Sequence, residues 1–189
     1  MMYLSSLAKK GILLGLLACI TSMGCTPDFS KALPEENKFF DLKSYFQQEK
    51  LRLKNVNGFT KKTTIDKSDE VHHFDTLNLV EELQIFENSD INRIAWFDKY
   101  STDSIFVDTK IRSIHYKALD PKLKTQEIKI DFGEDGPSKI RINNLSVSTI
   151  LESTQKLIYQ PQIGYTIESW QKMILSEEKE VIVDVQFDR

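Results

Sequence analysis

Two helix-periodic apolar stretches, followed by a long run of residues alternating apolar and polar, predict an α+β fold. The expected architecture is two N-terminal amphipathic helices packed on one face of a curved antiparallel meander sheet of five or more strands. Three observations carry this. Apolar residues recur at helical spacing within residues 35–54 and again within 78–87. From Ser104 onward the period changes to two. Clusters of Gly, Pro, Asp and Ser separate the alternating runs at intervals that suit turns between strands.

The elements follow in order. Pro34, Glu35 and Glu36 suit a helix start, because proline lacks only a donor that the first turn leaves unused and acids favour the positive end of the helix dipole. A first helix is therefore expected from Glu35 to Lys54, with Phe39, Leu42, Phe46 and Leu53 on one stripe and Tyr45 beside it. Asn55 to Gly58 ends it. Phe59 to Phe74 is rich in Thr, Val and Ile and reads as a hairpin turning near Asp66 to Asp69. Asn78, with Glu81 three residues on, resembles a capping box. The second helix is expected from Asn78 to Glu87, burying Leu79, Leu83 and Phe86. Asp90 to Tyr100 gathers Ile91, Ile94, Trp96 and Phe97 in a packed turn.

In the strand region, Ile105, Val107 and Ile111 share one phase, whereas Ile114, Tyr116 and Ala118 share the other. That slip predicts a bulge near Arg112. Ile128, Ile130 and Phe132, then Ile140 and Ile142 beyond the turn 133–138, give a hairpin with one wet face. Leu157 and Tyr159 continue the pattern to a turn at Pro161 to Gly164, and residues 165–175 and 181–187 make the last hairpin. A four-residue turn at 176–179 would pair Leu175 with Glu180. Trp170 would then share a face with Val181, Val183 and Val185 and be buried, which is the expected register. A three- or five-residue loop would turn Trp170 to the other face beside Ile182, because a one-residue slip flips every side chain. With Ile174, that cluster would be a binding patch.

The first 24 residues have the order of an export signal: Lys9 and Lys10, an apolar stretch from Ile12 to Ile20, then small residues. The apolar stretch falls short of the ~20 residues that a membrane-spanning helix needs. Ser22-Met23-Gly24-Cys25 resembles a bacterial lipobox, with Ser22 where that motif usually carries Leu. Leu16-Leu17-Ala18-Cys19 has a similar form, but a cut there leaves a very short apolar region. Cys25 is therefore the expected lipid attachment residue, with a diacylglycerol on its sulfur. Acyl chains add ~0.8 kcal/mol of membrane affinity per buried CH₂. Residues 25–36, with Pro27 and Pro34 and no apolar period, read as a flexible tether; residues 37–189 read as one domain.

Composition narrows the function classes. At 40% hydrophobic and 28% charged residues the chain is globular in type. Its net charge of −3 becomes −5 once a leader holding two lysines and no acid is removed, which argues against a nucleic-acid partner. Both cysteines, Cys19 and Cys25, lie in the first 25 residues, so the domain has none for a disulfide, a zinc site or thiol catalysis. No HExxH, phosphate loop, GxGxxG or GxSxG motif occurs. His72 and His73 are adjacent and on a strand would face opposite ways; with Asp69, Glu70 and Asp75 they read as an exposed polar segment. His115 reads as a wet-face strand residue. Glu81 and Glu82 read as a solvated helix face, and Lys61 and Lys62 as surface charge. Accordingly no catalytic residue, metal site or cofactor is expected.

Two stretches, 39–46 (FFDLKSYF) and 165–173 (YTIESWQKM), together with the lipobox, resemble uncharacterised envelope lipoproteins of Bacteroidota. The resemblance brings no activity and no site residues, and implies only lipid anchoring at the cell envelope. Three roles compete. The first is a non-enzymatic module that binds a protein partner through the sheet's exposed face or edge. The second is a periplasmic carrier of an apolar ligand in a helix-covered half-barrel, an analogy of fold alone. The third is an envelope hydrolase. A closed, filled core favours the first; a continuous apolar cavity favours the second.

Overall fold

The computed structural model describes residues 37–174 and 176–188. The leader, the tether and both cysteines lie outside the described residues. The fold is mixed α+β: helices α1 (Leu42–Leu53) and α2 (Leu79–Glu87), and nine antiparallel strands in one open sheet. The strands are β1 (Gly58–Ile65), β2 (Ser68–Phe74), β3 (Tyr100–Val107), β4 (Lys110–Ala118), β5 (Thr125–Phe132), β6 (Pro137–Val147), β7 (Leu151–Gln160), β8 (Gly164–Met173) and β9 (Lys179–Asp188). Strands β3 to β9 run as a meander, and the early hairpin β1–β2 joins its far side by pairing β1 with β9. The edges are therefore β2 and β3. Asp69, Glu70, His72 and His73 blunt the fully exposed β2 edge with polar groups.

α1 begins at Leu42, seven residues after the expected start. The backbone ahead of it is tied elsewhere. Phe39 N–H donates to Asn92 Oδ1 (2.9 Å) and Phe40 N–H to Tyr116 Oη (3.1 Å). Asp41 then caps the helix by accepting from Ser44 N–H at 2.8 Å. α2 begins where expected, but the Asn78 side chain makes no capping hydrogen bond. The hairpin β1–β2 turns through Asp66 and Lys67, both with positive φ, the two-residue turn whose twist suits paired strands. The bulge falls where the phase slip puts it: Ile105 pairs with Ser113 and Phe106 with Ile111, leaving Arg112 without a partner in the ladder.

Alternation and register together build the core. Tyr116, Ile128, Ile142, Leu157, Ile167 and Val183 stand opposite one another in successive strands. Ile114, Ile130, Ile140, Tyr159, Tyr165 and Val185 form the adjacent row. Every member of both rows is buried or packed against the buried cluster. From α1, Leu42, Phe46 and Leu53 join that cluster, and from α2, Leu79, Leu83 and Phe86. The Phe46 ring lies 4.9 Å from Phe86 and 5.0 Å from Tyr159. Phe86 reaches Tyr165 at 5.9 Å. Of the strand residues expected in this layer, Ile128, Ile130 and Val185 are buried and Phe132 and Val183 partly so, whereas Val181 lies outside the cluster.

Gly164 is fixed by two constraints at the β7–β8 turn. Its φ is +153°, and a Cβ would sit 1.9 Å from Val185 O. Only glycine lets β9 approach there.

Candidate functional site

Each helix sends one carboxylate down to a tyrosine of the sheet. Glu49 of α1 is buried and accepts from Tyr159 Oη. Arg52, one turn on, holds Glu49 at 2.8 Å and donates to Pro161 O at 2.6 Å. Glu82 of α2 accepts from Tyr165 Oη at 2.6 Å, and Lys61 Nζ lies 2.6 Å from its other oxygen. Tyr159 and Tyr165 face each other across β7 and β8, so the two clusters are neighbours. Burial, then the Glu49 carboxylate, push the Tyr159 phenol far above its usual range. Burial, then the hydrogen bond to Glu82, do the same to Tyr165. These phenols stay protonated and donate. They fasten helices to sheet and supply neither a nucleophile nor a base near neutral pH. Glu82 and Lys61, expected on solvated faces, are thus corrected. Lys61 stands in the row of Tyr165 and Val185, on the side that α2 occupies.

The opposite face of the sheet is a polar lattice. His115 Nε2 lies 2.6 Å from Glu127 Oε1, on the wet face as expected, and Asn143 Nδ2–H donates to Glu127 Oε2 at 2.7 Å. Asp131 takes Ser113 Oγ–H at 3.1 Å and also pairs with Arg141. Thr166 donates to Asp184 at 3.0 Å. On β2, His72 pairs with Glu70 at 2.9 Å, while His73 Nδ1 lies 2.9 Å from Thr60 Oγ1. Among the described residues no group of three or more His, Cys, Asp or Glu is placed to share a metal ion.

Trp170 lies on this polar face, which overturns its expected burial with Val181, Val183 and Val185. Five residues separate β8 from β9, and the register pairs Trp170 with Glu180 and Glu168 with Ile182. That register is displaced by an odd number of residues from one pairing Leu175 with Glu180, so the indole changes face. Leu145, Thr154, Trp170 and Glu180 stand in one cross-strand row; Asn143, Lys156 and Glu168 stand in the next. Together with Gln126 at the start of β5 they line an open groove of about 400 Å³. That lies within the ~300–1,000 Å³ of small-ligand sites. Trp170 is half-buried in it.

Further along the same strands the surface turns apolar. Val147, Ile150, Met173 and Ile174 are each 50–68% exposed and line an adjoining recess of about 220 Å³. Ile174 N–H donates to Ile150 O at 3.2 Å, which brings the two loop tips together. Ile182 sits on the groove's face, half-buried. Sequence reasoning found Trp170, Ile174 and Ile182 as a conditional patch but missed Leu145, Val147 and Ile150. Their signal was available: Leu145 and Val147 continue the wet-face phase of Arg141 and Asn143, where an apolar residue is out of place. Cys25, the expected lipid attachment residue, lies outside the described residues.

The fold and this groove together define a mixed α+β protein whose open antiparallel sheet has one apolar and one polar face. No protein-family model matches the chain. Nor does a search of the curated proteins find a match.

Proposed function

We propose that this chain is a lipid-anchored lipoprotein of the bacterial cell envelope and works there as a non-enzymatic binding module. Cys25 carries the lipid, and the partner is a protein rather than a nucleic acid. The helices α1 and α2 both cover the apolar face of the sheet, which leaves the polar face for the partner. One observation carries the reading. The polar face holds a half-buried tryptophan in a groove bordered by exposed aliphatic residues and rimmed by Lys156, Glu168, Glu180, Glu152 and Lys172. A central aromatic anchor inside a polar rim is the anatomy of a protein-binding hot spot. The interior favours this role over the carrier. Phe46, Phe86 and Tyr159 fill the layer between helices and sheet with ring-to-ring contacts of 4.9–5.8 Å.

Photo-crosslinking tests the reading. A photoreactive residue replacing Thr154, in the groove, should give discrete protein adducts in intact cells. One replacing Leu51, exposed on α1, should not. Trp170→Ala should remove the Thr154 adducts while leaving the fold's circular dichroism unchanged. Equal labelling from both positions, or adducts indifferent to Trp170→Ala, would put the partner elsewhere.

A further inference from the structure

The charge left unmatched in the Trp170 groove is of one sign. Gln126 spends both amide hydrogens, on Pro121 O at 3.3 Å and on Leu123 O. Asn143 spends one on Glu127. Lys156 Nζ is engaged by both oxygens of Glu168, at 3.3 and 3.4 Å. The Trp170 indole N–H, the Thr154 hydroxyl and one Asn143 amide hydrogen stay available beside two amide oxygens, so the groove's open hydrogen-bonding capacity is mixed, whereas its unmatched charge is negative. Glu180, directly opposite Trp170 in the ladder, is an exposed carboxylate with no hydrogen bond or ion pair among the described residues. Residues directly opposite in an antiparallel pair have Cβ atoms only ~4.5–5.5 Å apart.

We infer that the groove receives an alkylammonium group, supplied by a lysine side chain of the protein partner, between the Trp170 indole face and the Glu180 carboxylate. The inference rests on the reading that this groove is the binding surface, and it names the chemistry recognised there. A cation is drawn to an indole face, and a neighbouring carboxylate supplies the opposite charge. A carboxylate ligand would meet Glu180 and the π face with the wrong sign. A neutral polyol would leave the Glu180 charge without a counterion. Lys156 does not compete for Glu180, because Glu168 holds it.

The test uses the full chain with Trp96→Phe, so that Trp170 is the one tryptophan emitting. n-Butylammonium, choline, butyrate and maltotetraose are titrated against sodium chloride at equal ionic strength. n-Butylammonium should shift the Trp170 emission saturably where sodium does not. Glu180→Gln should weaken that response about five-fold, the scale of one ion–aromatic or ion-pair contact. A shift by butyrate or maltotetraose with none by n-butylammonium overturns the inference while leaving the groove a binding site. Tighter binding of choline than of n-butylammonium assigns the groove to a quaternary headgroup and overturns the lysine assignment. Silence to all four overturns the inference, and the Thr154 crosslinks then judge the binding surface independently.

Discussion

Phe46 is where the architecture can be tested most directly. Its side chain is 0% exposed and its ring contacts Tyr45, Phe86 and Tyr159 at 5.2, 4.9 and 5.0 Å. It thus joins α1, α2 and β7 at a single point. Phe46→Ala removes the ring from all three contacts at once, and aromatic-to-alanine changes in full cores cost ~3–5 kcal/mol. Urea unfolding has a slope of ~1–3 kcal/mol per molar. A loss of about 4 kcal/mol over a slope of about 2 lowers the urea midpoint by roughly 2 M. Against a total stability of ~5–15 kcal/mol the loss is large but measurable. Leu51→Ala, on the same helix but 63% exposed, is the control and should change stability by less than ~0.5 kcal/mol. A midpoint drop under ~0.5 M at unchanged slope would refute the filled layer. Coupled with weakened uptake of a fluorescent fatty acid, the same small drop would favour an apolar-ligand carrier.

Cys25→Ser should abolish incorporation of labelled acyl chains and release the protein from the membrane fraction; acylation that survives it and is lost with Cys19→Ser would reassign the anchor. Gly164→Ala should cost more than the ~1–3 kcal/mol of a strained backbone alone, because the new methyl meets Val185 O at 1.9 Å; a well-folded variant with unchanged melting would contradict that close approach. All five tyrosines of the domain are held above the usual phenol range by burial, Tyr100 to about 12, with Glu49 adding to the shift at Tyr45 and Tyr159. The native state therefore keeps protons that the unfolded chain gives up near pH 10. The tyrosines' contribution should be constant below pH ~10, and above it stability should fall by up to about 1.4 kcal/mol per pH unit for each such tyrosine. Phenolate absorbance should consequently rise in one cooperative step together with loss of circular dichroism. Graded ionisation near pH 10 on an intact fold would count against the burial of these rings.

What the sequence discloses follows the range of the interaction that decides it. The stripe Leu42, Phe46, Leu53 and the alternation Ile128, Ile130 and Ile140, Ile142 are local patterns, and each appears in the core at its expected place. The bulge at Arg112 is also local, written as a phase slip between two runs. The start of α1 is not local. Pro34 and two acids are good starting signals, but Asn92 and Tyr116, distant in sequence, take the backbone groups of Phe39 and Phe40. Likewise the pairing of β1 with β9 joins segments more than a hundred residues apart, and no turn signal announces it.

The candidate site was harder to read, and for a sharper reason. Trp170 belongs to the core or to the groove according to the parity of one register, and that parity depends on how many residues of the β8–β9 connection leave the ladder. Periodicity within β8 does carry the signal, because Trp170 continues the polar phase of Thr166 and Glu168 while Tyr165 and Ile167 hold the apolar one. The two helix carboxylates fail from the opposite direction. Glu82 reads as solvated, and Glu49 draws no reading at all, until Tyr159 and Tyr165 are known to stand beneath them, which requires the docked helices and the register of β7 on β8. Trp170 apart, polar side chains therefore misled more than apolar ones did. An apolar residue needs only the correct face, and alternation gives the face. A polar residue needs a particular partner, and only the completed fold brings the partner to it. The groove's binding chemistry is of this second kind, since Glu180 faces Trp170 only through the register that turned the indole outward.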